Sequence, residues 1–450
     1  MKTHLDRLWQ ASDLLFVTGL AVALFLGSKV TPLLVVAGVL PIPFLLQRLK
    51  NRHYHVPIWT LLVPFGIYFS YSLLALFLFT GLDASDPRPV NPSLESYAVA
   101  IAMLAVGLVR GLQIQNLASL YRRLMPFLLI ACFFVLSYMM FAGIREACRV
   151  RGLAPWPFIP ALLFSTLTLI CLVGWERLAV RERWLRVGLI AFSIVVSTTY
   201  TGSRGVAVAQ VGVFCFLLVL GLLPSLRNRV PHWYHLFTGA TAGLVISVII
   251  GTAVDCGPAS RFSSTLEPLK TIASQLTEAN TETRSTPTTS PSTNQTTTEK
   301  APQAEALVEA PSAAEVAATD AISQRLAMWE TSISAIKERP LFGHGSLYLQ
   351  KLISATYGYE HNHNQYLTWL VTGGVLQLIL GLFFLAIPWF VSKGLSFADR
   401  ILITTAVSLF WGLAMMFDSF LNLKFYTHYF CLLCGVLYAL SNSMQEAKPT

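Results

Sequence analysis

The sequence predicts an all-α membrane protein that crosses the bilayer about twelve times. Hydrophobic residues make up 54% of the 450 residues and charged residues only 12%, whereas soluble domains carry about 25% charged residues. Apolar runs of about 18 or more residues recur along the chain, and each is long enough to cross a hydrocarbon core of about 30 Å. Only helices and closed barrels satisfy their backbones in lipid, and these runs are too long for barrel strands, so the spans are predicted to be helices.

Apolar segments at twelve places are the candidates for these helices: 12–28, 30–47, 56–80, 96–113, 124–142, 157–180, 184–202, 204–224, 235–255, 366–391, 399–421 and 423–441. They divide the chain into residues 1–255 with nine spans, a long hydrophilic loop over residues 256–365, and residues 366–450 with three spans and a short tail. Within the loop, residues 277–318 are rich in Thr, Ser and Pro, a composition that predicts disorder. Residues 320–339 carry apolar side chains at helical spacing, which predicts an amphipathic helix.

Positive charge sets the predicted orientation. Lys and Arg are concentrated in alternate short loops, such as 48–52 and 177–186, and such loops lie in the cytoplasm. Both termini are therefore predicted to be cytoplasmic, and the long loop lies outside. The net charge of +9 belongs to these loops, so we expect no nucleic-acid partner. Cys148 and Cys256 both fall on the predicted outer side, where a disulfide is one possibility.

Several arginines break the charge pattern by falling on the outer side. Three form a cluster between spans five and six, namely Arg145, Arg149 and Arg151, and Arg204 lies in the turn Thr201-Gly-Ser203-Arg-Gly205. An anionic ligand would explain them, because the guanidinium fork suits phosphate oxygens. The alternatives are contact with lipid phosphates for the cluster and a simple interhelical turn with a snorkelling arginine for Arg204.

A second polar group lies at the end of the long loop and the start of span ten. Its members are Arg325, Trp329, Arg339, His344, His361, His363 and Asn364. Ionisable groups at a membrane boundary favour a functional site, and histidine is suited to general-base chemistry near neutral pH. The His361-x-His363 pair also suits a metal, but no third ligand is evident at a supportive spacing, so no metal is predicted. Structural histidines are the other alternative. Asp418, at the outer end of span eleven, either orients a histidine or pairs with Lys424.

Three motifs in this order carry a family resemblance: TGSRG at 201–205, R-x-x-x-W followed by RPLFGHG at 325–345, and HNHNQY at 361–366. They resemble the bacterial O-antigen ligase and polymerase superfamily, and its ligases most of all. The resemblance implies a GT-C-like glycosyltransferase that needs no metal or other cofactor. Such an enzyme transfers a glycan from an undecaprenyl-diphosphate carrier to the lipid A–core oligosaccharide of lipopolysaccharide, at the periplasmic face of the bacterial inner membrane.

The resemblance also implies roles for individual residues. Arg204 and Arg325 would contact the diphosphate, and His363 would be the general base. The remaining candidates would bind substrate: Arg145, Arg149, Arg151, Ser203, Trp329, Arg339, His344, His361, Asn364 and Asp418. The insert at 277–318 departs from the family pattern and is given no catalytic role.

Other functions remain open on the sequence alone. A polymerase of O-antigen repeat units and a protein O-oligosaccharyltransferase share the donor and the motifs and differ only in the acceptor. A transporter of the lipid-linked glycan is a candidate from another class, but it would place ionisable residues in mid-membrane, where the predicted spans have almost none.

Overall fold

A computed structural model describes residues 35–36, 56–78, 90–111, 125–126, 128–130, 132–133, 158–173, 175–200, 203–253, 321–359, 361–419, 421 and 424–446. Every regular element of those residues is helical. The α-helices are α1 Trp59–Leu78, α2 Val90–Gly111, α3 Phe158–Cys171, α4 Val180–Val195, α5 Arg204–Gly221, α6 Trp233–Ala253, α7 Ala321–Glu338, α8 Ser346–Tyr357, α9 Gln365–Leu385, α10 Ile387–Val391, α11 Phe397–Thr404, α12 Phe410–Ala414 and α13 Lys424–Glu446. Two π-helical turns, Val196–Tyr200 and Thr405–Leu409, and a 3₁₀ turn, Trp175–Arg177, lie between them.

Three helical segments in this part of the chain are long and apolar enough to cross a membrane: Trp233–Ile250, Gln365–Val391 and Phe397–Ala414. Four shorter apolar helices accompany them, at Trp59–Ala75, Ser96–Val109, Ala161–Cys171 and Gly205–Gly221. The all-helical membrane class is therefore confirmed, whereas the count of twelve membrane spans stays a prediction. The first predicted span, the insert at 277–318, Cys148 and Cys256 lie outside the described residues.

Glycines allow close contact between the predicted spans four and twelve. Gly107 of α2 faces Gly435 of α13, Gly111 faces Val436 and Ala439, and a Cβ at Gly435 would lie 2.5 Å from the Leu104 carbonyl oxygen. Lipid offers little hydrophobic driving force between helices, so small residues that let backbones approach are what holds such pairs together. The glycine spacing thus fixes α13 against α2.

A loop and a broken helix interlock at α9. Helix α9 is interrupted at Gly373 and Gly374, where Gly374 has a φ of +66°. The loop between α7 and α8 enters this break: the His344 N–H donates to the Val371 carbonyl at 2.7 Å, and the Val375 N–H donates to the Pro340 carbonyl at 2.8 Å. Backbone groups released by a break in a membrane helix need such partners. We call residues 340–345 the latch.

Span eleven ends earlier than the sequence predicts. The helix stops at Ala414 rather than near residue 421, because the following backbone bonds to the start of α9 instead of continuing the helix. Gln365 N–H donates to the Met415 carbonyl at 3.0 Å, and Leu421 N–H donates to Gln365 Oε1 at 2.7 Å. Asp418 therefore lies in a turn outside the helix and faces the segment before α9.

Candidate functional site

The segment 361–364 forms a compact polar turn at the start of α9. Asn364 caps the helix, because its side-chain oxygen accepts the Tyr366 and Leu367 N–H groups at 3.0 and 3.1 Å, as N-cap residues do. Asn362 is fully buried, and its side-chain oxygen accepts from the Thr368 hydroxyl at 2.8 Å and from the Asn364 N–H at 3.2 Å. The two asparagines hold the backbone, so the histidines on either side of Asn362 take a fixed position.

Both histidines of this turn contact one carboxylate oxygen. His361 Nε2 lies 3.2 Å and His363 Nδ1 lies 3.3 Å from Asp418 Oδ1, and the two imidazole rings are 4.5 Å apart. The same oxygen accepts the Ser419 N–H at 2.8 Å. His363 has a φ of +54°, a left-handed backbone that is rare for a residue with a side chain and recurs at functional sites. The turn is thus strained at the histidine that the sequence favours as a base.

The charge of Asp418 fixes the histidine tautomers. Burial raises the pKa of the Asp418 carboxyl, but the hydrogen bonds and electrostatic attraction of His361 and His363 lower it by more, and the net pKa lies well below the usual range. An ionised carboxylate only accepts hydrogen bonds, so both facing ring nitrogens carry hydrogen. A neutral ring then keeps a lone pair on its opposite nitrogen, which is Nε2 in His363. That nitrogen is available to take a proton.

The lowered pKa of Asp418 predicts how stability depends on pH. A depressed carboxyl pKa gives stability that is complete above the unfolded-state value of about 3.9 and is lost as the pH falls below it. We expect Asp418→Asn to lower the free energy of unfolding at pH 7 by about 1–3 kcal/mol. Denaturation in detergent at pH 7, 5 and 3 should show this difference between wild type and variant shrinking only at the lowest pH. A difference independent of pH would contradict it.

The same three side chains also have the composition of a metal centre. The ligand atoms of His361, His363 and Asp418 all lie within 4.8 Å of one another, and two histidines with one carboxylate are a common metal-binding set. The sequence shows no third ligand at a supportive spacing, but the fold brings Asp418, 55 residues after His363, to the histidine pair. The same three residues could therefore act either as a hydrogen-bonded triad or as the ligands of a metal ion.

Helix α7 covers the polar turn. The Trp329 indole N–H donates to the Asn362 carbonyl at 2.9 Å, and Asn362 donates to the Ser332 hydroxyl at 3.0 Å. Arg325 is half-buried and lies one turn before Trp329, on the same face of the helix. This face is the one that contacts the turn, so Arg325 lies on the side of α7 that points towards the histidines.

The structure separates Arg339 and His344 from this group. Arg339 is exposed at the end of α7. His344 is buried in the latch, where its Nε2 lies 2.8 Å from the Ala335 carbonyl and its ring stacks on Tyr348 at 4.2 Å. These contacts assign His344 to holding α7 and α8 together. Its substrate role stays a sequence-based prediction.

Arg204 begins helix α5. The preceding π-helical turn is held by Gln210, whose Nε2 donates to the Ser165 hydroxyl at 2.6 Å and whose Oε1 accepts from the Ser197 hydroxyl at 3.1 Å. The Ser203 N–H donates to the Ser197 carbonyl at 2.7 Å. Buried amide networks of this kind fix one backbone path, and π-helical turns often occur at functional sites. The Arg204 side chain, like the Arg145, Arg149 and Arg151 cluster, lies outside the described side chains.

Gly205 brings the Arg204 turn against the residue before Asp418. A Cβ at Gly205 would collide with Phe417 Cβ and lie 3.0 Å from Phe417 Cγ. We expect Gly205→Ala to displace Phe417 or the start of α5, and to lower turnover on the order of 10²-fold, since small displacements of catalytic groups have effects of that size. Gly188→Ala is the matched control, because a Cβ there meets nothing within 4 Å. Equal activity of the two variants would show that the contact is unimportant.

The fold and the site together define the class of protein. The protein is helical, and at the start of the apolar helix α9 a strained histidine, His363, contacts the buried carboxylate of Asp418. Helix α7 packs on this turn. Such a site is typical of an enzyme that acts on a substrate at the membrane boundary.

A family model described as O-antigen ligase matches residues 189–384, a region that runs from α4 into α9 and contains Arg204, Arg325 and His363. The resemblance to the O-antigen ligase superfamily is thereby confirmed. Members of this family are glycosyltransferase-like ligases and polymerases, and their substrates are lipid-linked polysaccharides. No curated protein matches the chain.

Proposed function

We propose that this protein is an O-antigen ligase that transfers a glycan from undecaprenyl diphosphate to the lipid A–core oligosaccharide, without a metal. The observation that carries the proposal is His363, which lies within the region that matches the family and is hydrogen-bonded to the buried Asp418 beyond that region. Trp329 of α7 covers the turn that holds His363. In this proposal the site faces the periplasm, at the inner membrane, and both termini are cytoplasmic.

The chemistry follows from what each group can do. A hydroxyl oxygen of the acceptor sugar attacks the anomeric carbon of the donor, and the bond from that carbon to the diphosphate oxygen breaks. The hydroxyl proton passes to His363 Nε2, while Asp418 stabilises the resulting imidazolium, as carboxylates paired with catalytic histidines do. The electron pair of the broken bond leaves with the diphosphate.

Arginines would stabilise the leaving group. Negative charge grows on the diphosphate as the glycosidic bond breaks, so a cation placed there stabilises the transition state more than the ground state. Arg204 and Arg325 are proposed for this role. Gly205, next to Arg204, lies against the residue before Asp418, and Arg325 lies one helical turn before Trp329, which contacts the polar turn. Removing one such contact is expected to lower the rate on the order of 10²–10³-fold. Lysine replacement would keep the charge but lose the bidentate fork.

The test is reconstituted transfer. Purified protein is mixed with undecaprenyl-diphosphate-linked glycan and lipid A–core, with and without EDTA, and the products are resolved on a gel. Laddered lipopolysaccharide that forms in EDTA supports a metal-independent ligase. Lengthened carrier-linked glycan identifies a polymerase instead, and glycan on an added acceptor protein identifies an oligosaccharyltransferase. Activity that EDTA abolishes and Zn²⁺ restores would make the triad a metal centre and overturn the base mechanism.

A further inference from the structure

A second polar cluster lies away from the candidate site, where α3 ends and α4 and α6 begin. The ring of His235 lies 5.0 Å from that of Trp175 and 5.5 Å from that of Trp184, and Tyr234 lies 4.0 Å from His235. The Arg183 guanidinium donates to the Glu176 carbonyl at 3.4 Å. Three helix ends thus bring indole, imidazole and guanidinium groups together in a part of the protein that the proposed transfer does not use.

Several nitrogens of this cluster lack partners. Among the described residues, Trp175 Nε1, Arg183 Nε and His235 Nδ1 are buried without a hydrogen-bond partner, and Trp175 and His235 are only 1% and 4% exposed. Indole and guanidinium N–H groups can only donate. Buried donors are almost always satisfied by protein, water or a ligand. The cluster therefore calls for an acceptor that the described residues do not supply.

The charge around these nitrogens favours an anion. The segments 175–186 and 227–235 carry two acids and six arginines, Arg177, Arg181, Arg183, Arg186, Arg227 and Arg229. Both acids have partners already: Glu176 pairs with Arg229 at 3.5 Å, and Glu182 accepts the Ala179 N–H at 3.3 Å. A net positive field with unpartnered donors suits phosphate oxygens.

The position at the membrane edge indicates where the anion comes from. Helix α6 begins with exposed rings, Trp233 at 68%, Tyr234 at 44% and Phe237 at 65%, and Trp184 of α4 is 50% exposed beside them. Trp and Tyr in this arrangement are typical of the level of lipid headgroups. Since α6 contains the candidate span Trp233–Ile250, the cluster lies at one end of a membrane helix, where lipid phosphate is the most concentrated anion.

We propose that this cluster binds the phosphate of an anionic phospholipid headgroup. The Trp175 and Arg183 N–H groups, and His235 with its proton on Nδ1, donate to the phosphate oxygens. Arg229 lies at the rim, where it also pairs with Glu176. The exposed rings lie against the acyl chains, and the excess positive charge favours an anionic lipid over a zwitterionic one, as basic pockets between membrane helices do. On the predicted topology this is the cytoplasmic leaflet.

The test uses the full chain in detergent. Phosphatidylglycerol, phosphatidylcholine or inorganic phosphate is added, the melting temperature is followed, and bound lipid is counted by native mass spectrometry. We expect phosphatidylglycerol alone to raise the melting temperature. Trp175→Phe, which keeps the ring and removes the N–H, and Arg183→Gln should each weaken the apparent affinity about tenfold or more, the effect of one charge-assisted hydrogen bond. Arg181→Gln, an exposed neighbour on the same helix whose loss keeps every proposed hydrogen bond, should weaken it much less.

Each alternative result overturns the proposal. Equal stabilisation by phosphatidylcholine would show that the cluster does not recognise the charge of the headgroup. Stabilisation by inorganic phosphate would show that the ligand is a soluble anion. An equal loss in Arg181→Gln and Arg183→Gln would reduce the effect to general surface charge. If Trp175→Phe fails to fold, Arg183→Lys decides: it keeps the charge but loses the Nε donor, so the affinity should still fall. Unchanged affinity in Arg183→Lys would contradict the hydrogen-bonding site.

Discussion

His363→Ala is expected to lower the turnover of glycan transfer about 10²–10⁴-fold, the usual contribution of a positioned general base. The Michaelis constant for the lipid-linked donor should change little, because the imidazole is proposed to act on the acceptor hydroxyl and not to bind the diphosphate. Steady-state transfer with reconstituted protein measures both quantities. The melting temperature in detergent must stay near that of the wild type, so that the loss is one of chemistry and not of folding.

Replacing Asp418 separates orientation from proton transfer. Asp418→Asn keeps the size of the side chain but removes the charge that fixes the His363 tautomer, and the comparable change in a serine protease triad lowers kcat about 10⁴-fold. We expect a large loss of turnover here too, and little further loss when it is combined with His363→Ala, because groups that act as a unit are not additive. Full additivity of the two changes would contradict the dyad.

His361 provides the matched comparison. It contacts the same Asp418 oxygen as His363 and is about as exposed, at 12% against 15% of the side chain. It lacks the left-handed backbone of its neighbour. We expect His361→Gln, which keeps a donor for the carboxylate, to retain most of the activity. If instead His361→Gln is inactive and His363→Ala is active, the roles of the two histidines are exchanged.

The sequence was sufficient to predict the class of fold, and it also drew attention to the segment that forms the candidate site. Apolar runs and the excess of positive charge in alternate loops come from local composition, so helices and candidate spans could be read without knowledge of contacts. The histidine turn was also visible, because polar residues at the mouth of an apolar run are unusual. The helix α7 falls within the segment 320–339, where apolar spacing predicts one.

The contacts that assemble the site depend on residues far apart in the chain. Asp418 meets the histidines only because span eleven ends at Ala414 and the backbone turns back to Gln365, and hydropathy continues past that point without a break. Asn362 was missed as a structural residue, although its place between the two histidines was a signal. His344 is a histidine, a residue type common in catalysis, but it lies buried in the latch. Only its three-dimensional neighbours distinguish a structural histidine from a catalytic one.

The largest loss of stability is expected from a change that displaces the latch. Gly374 has a φ of +66°, and a Cβ there would collide with the Leu341 carbonyl group and lie 2.5 Å from the Phe342 N. We expect Gly374→Ala to undock the latch from α9, with a loss of more than about 3 kcal/mol, since backbone strain of about 1–3 kcal/mol adds to an overpacking cost of similar size. Thermal melting in detergent and limited proteolysis of the long loop measure the loss.

Gly358 separates strain from collision. Its φ of +71° is nearly the same, but a Cβ there meets nothing within 4 Å, so Gly358→Ala should cost only about 1 kcal/mol, the strain part alone. Gly374→Ala should therefore expose residues 340–345 to protease while Gly358→Ala does not. Since α7 carries Arg325 and Trp329 and is tied to α9 through the latch, undocking should also abolish transfer. If Gly374→Ala has the same melting temperature as Gly358→Ala, then α7 is held over the histidines by its contacts with Asn362 alone.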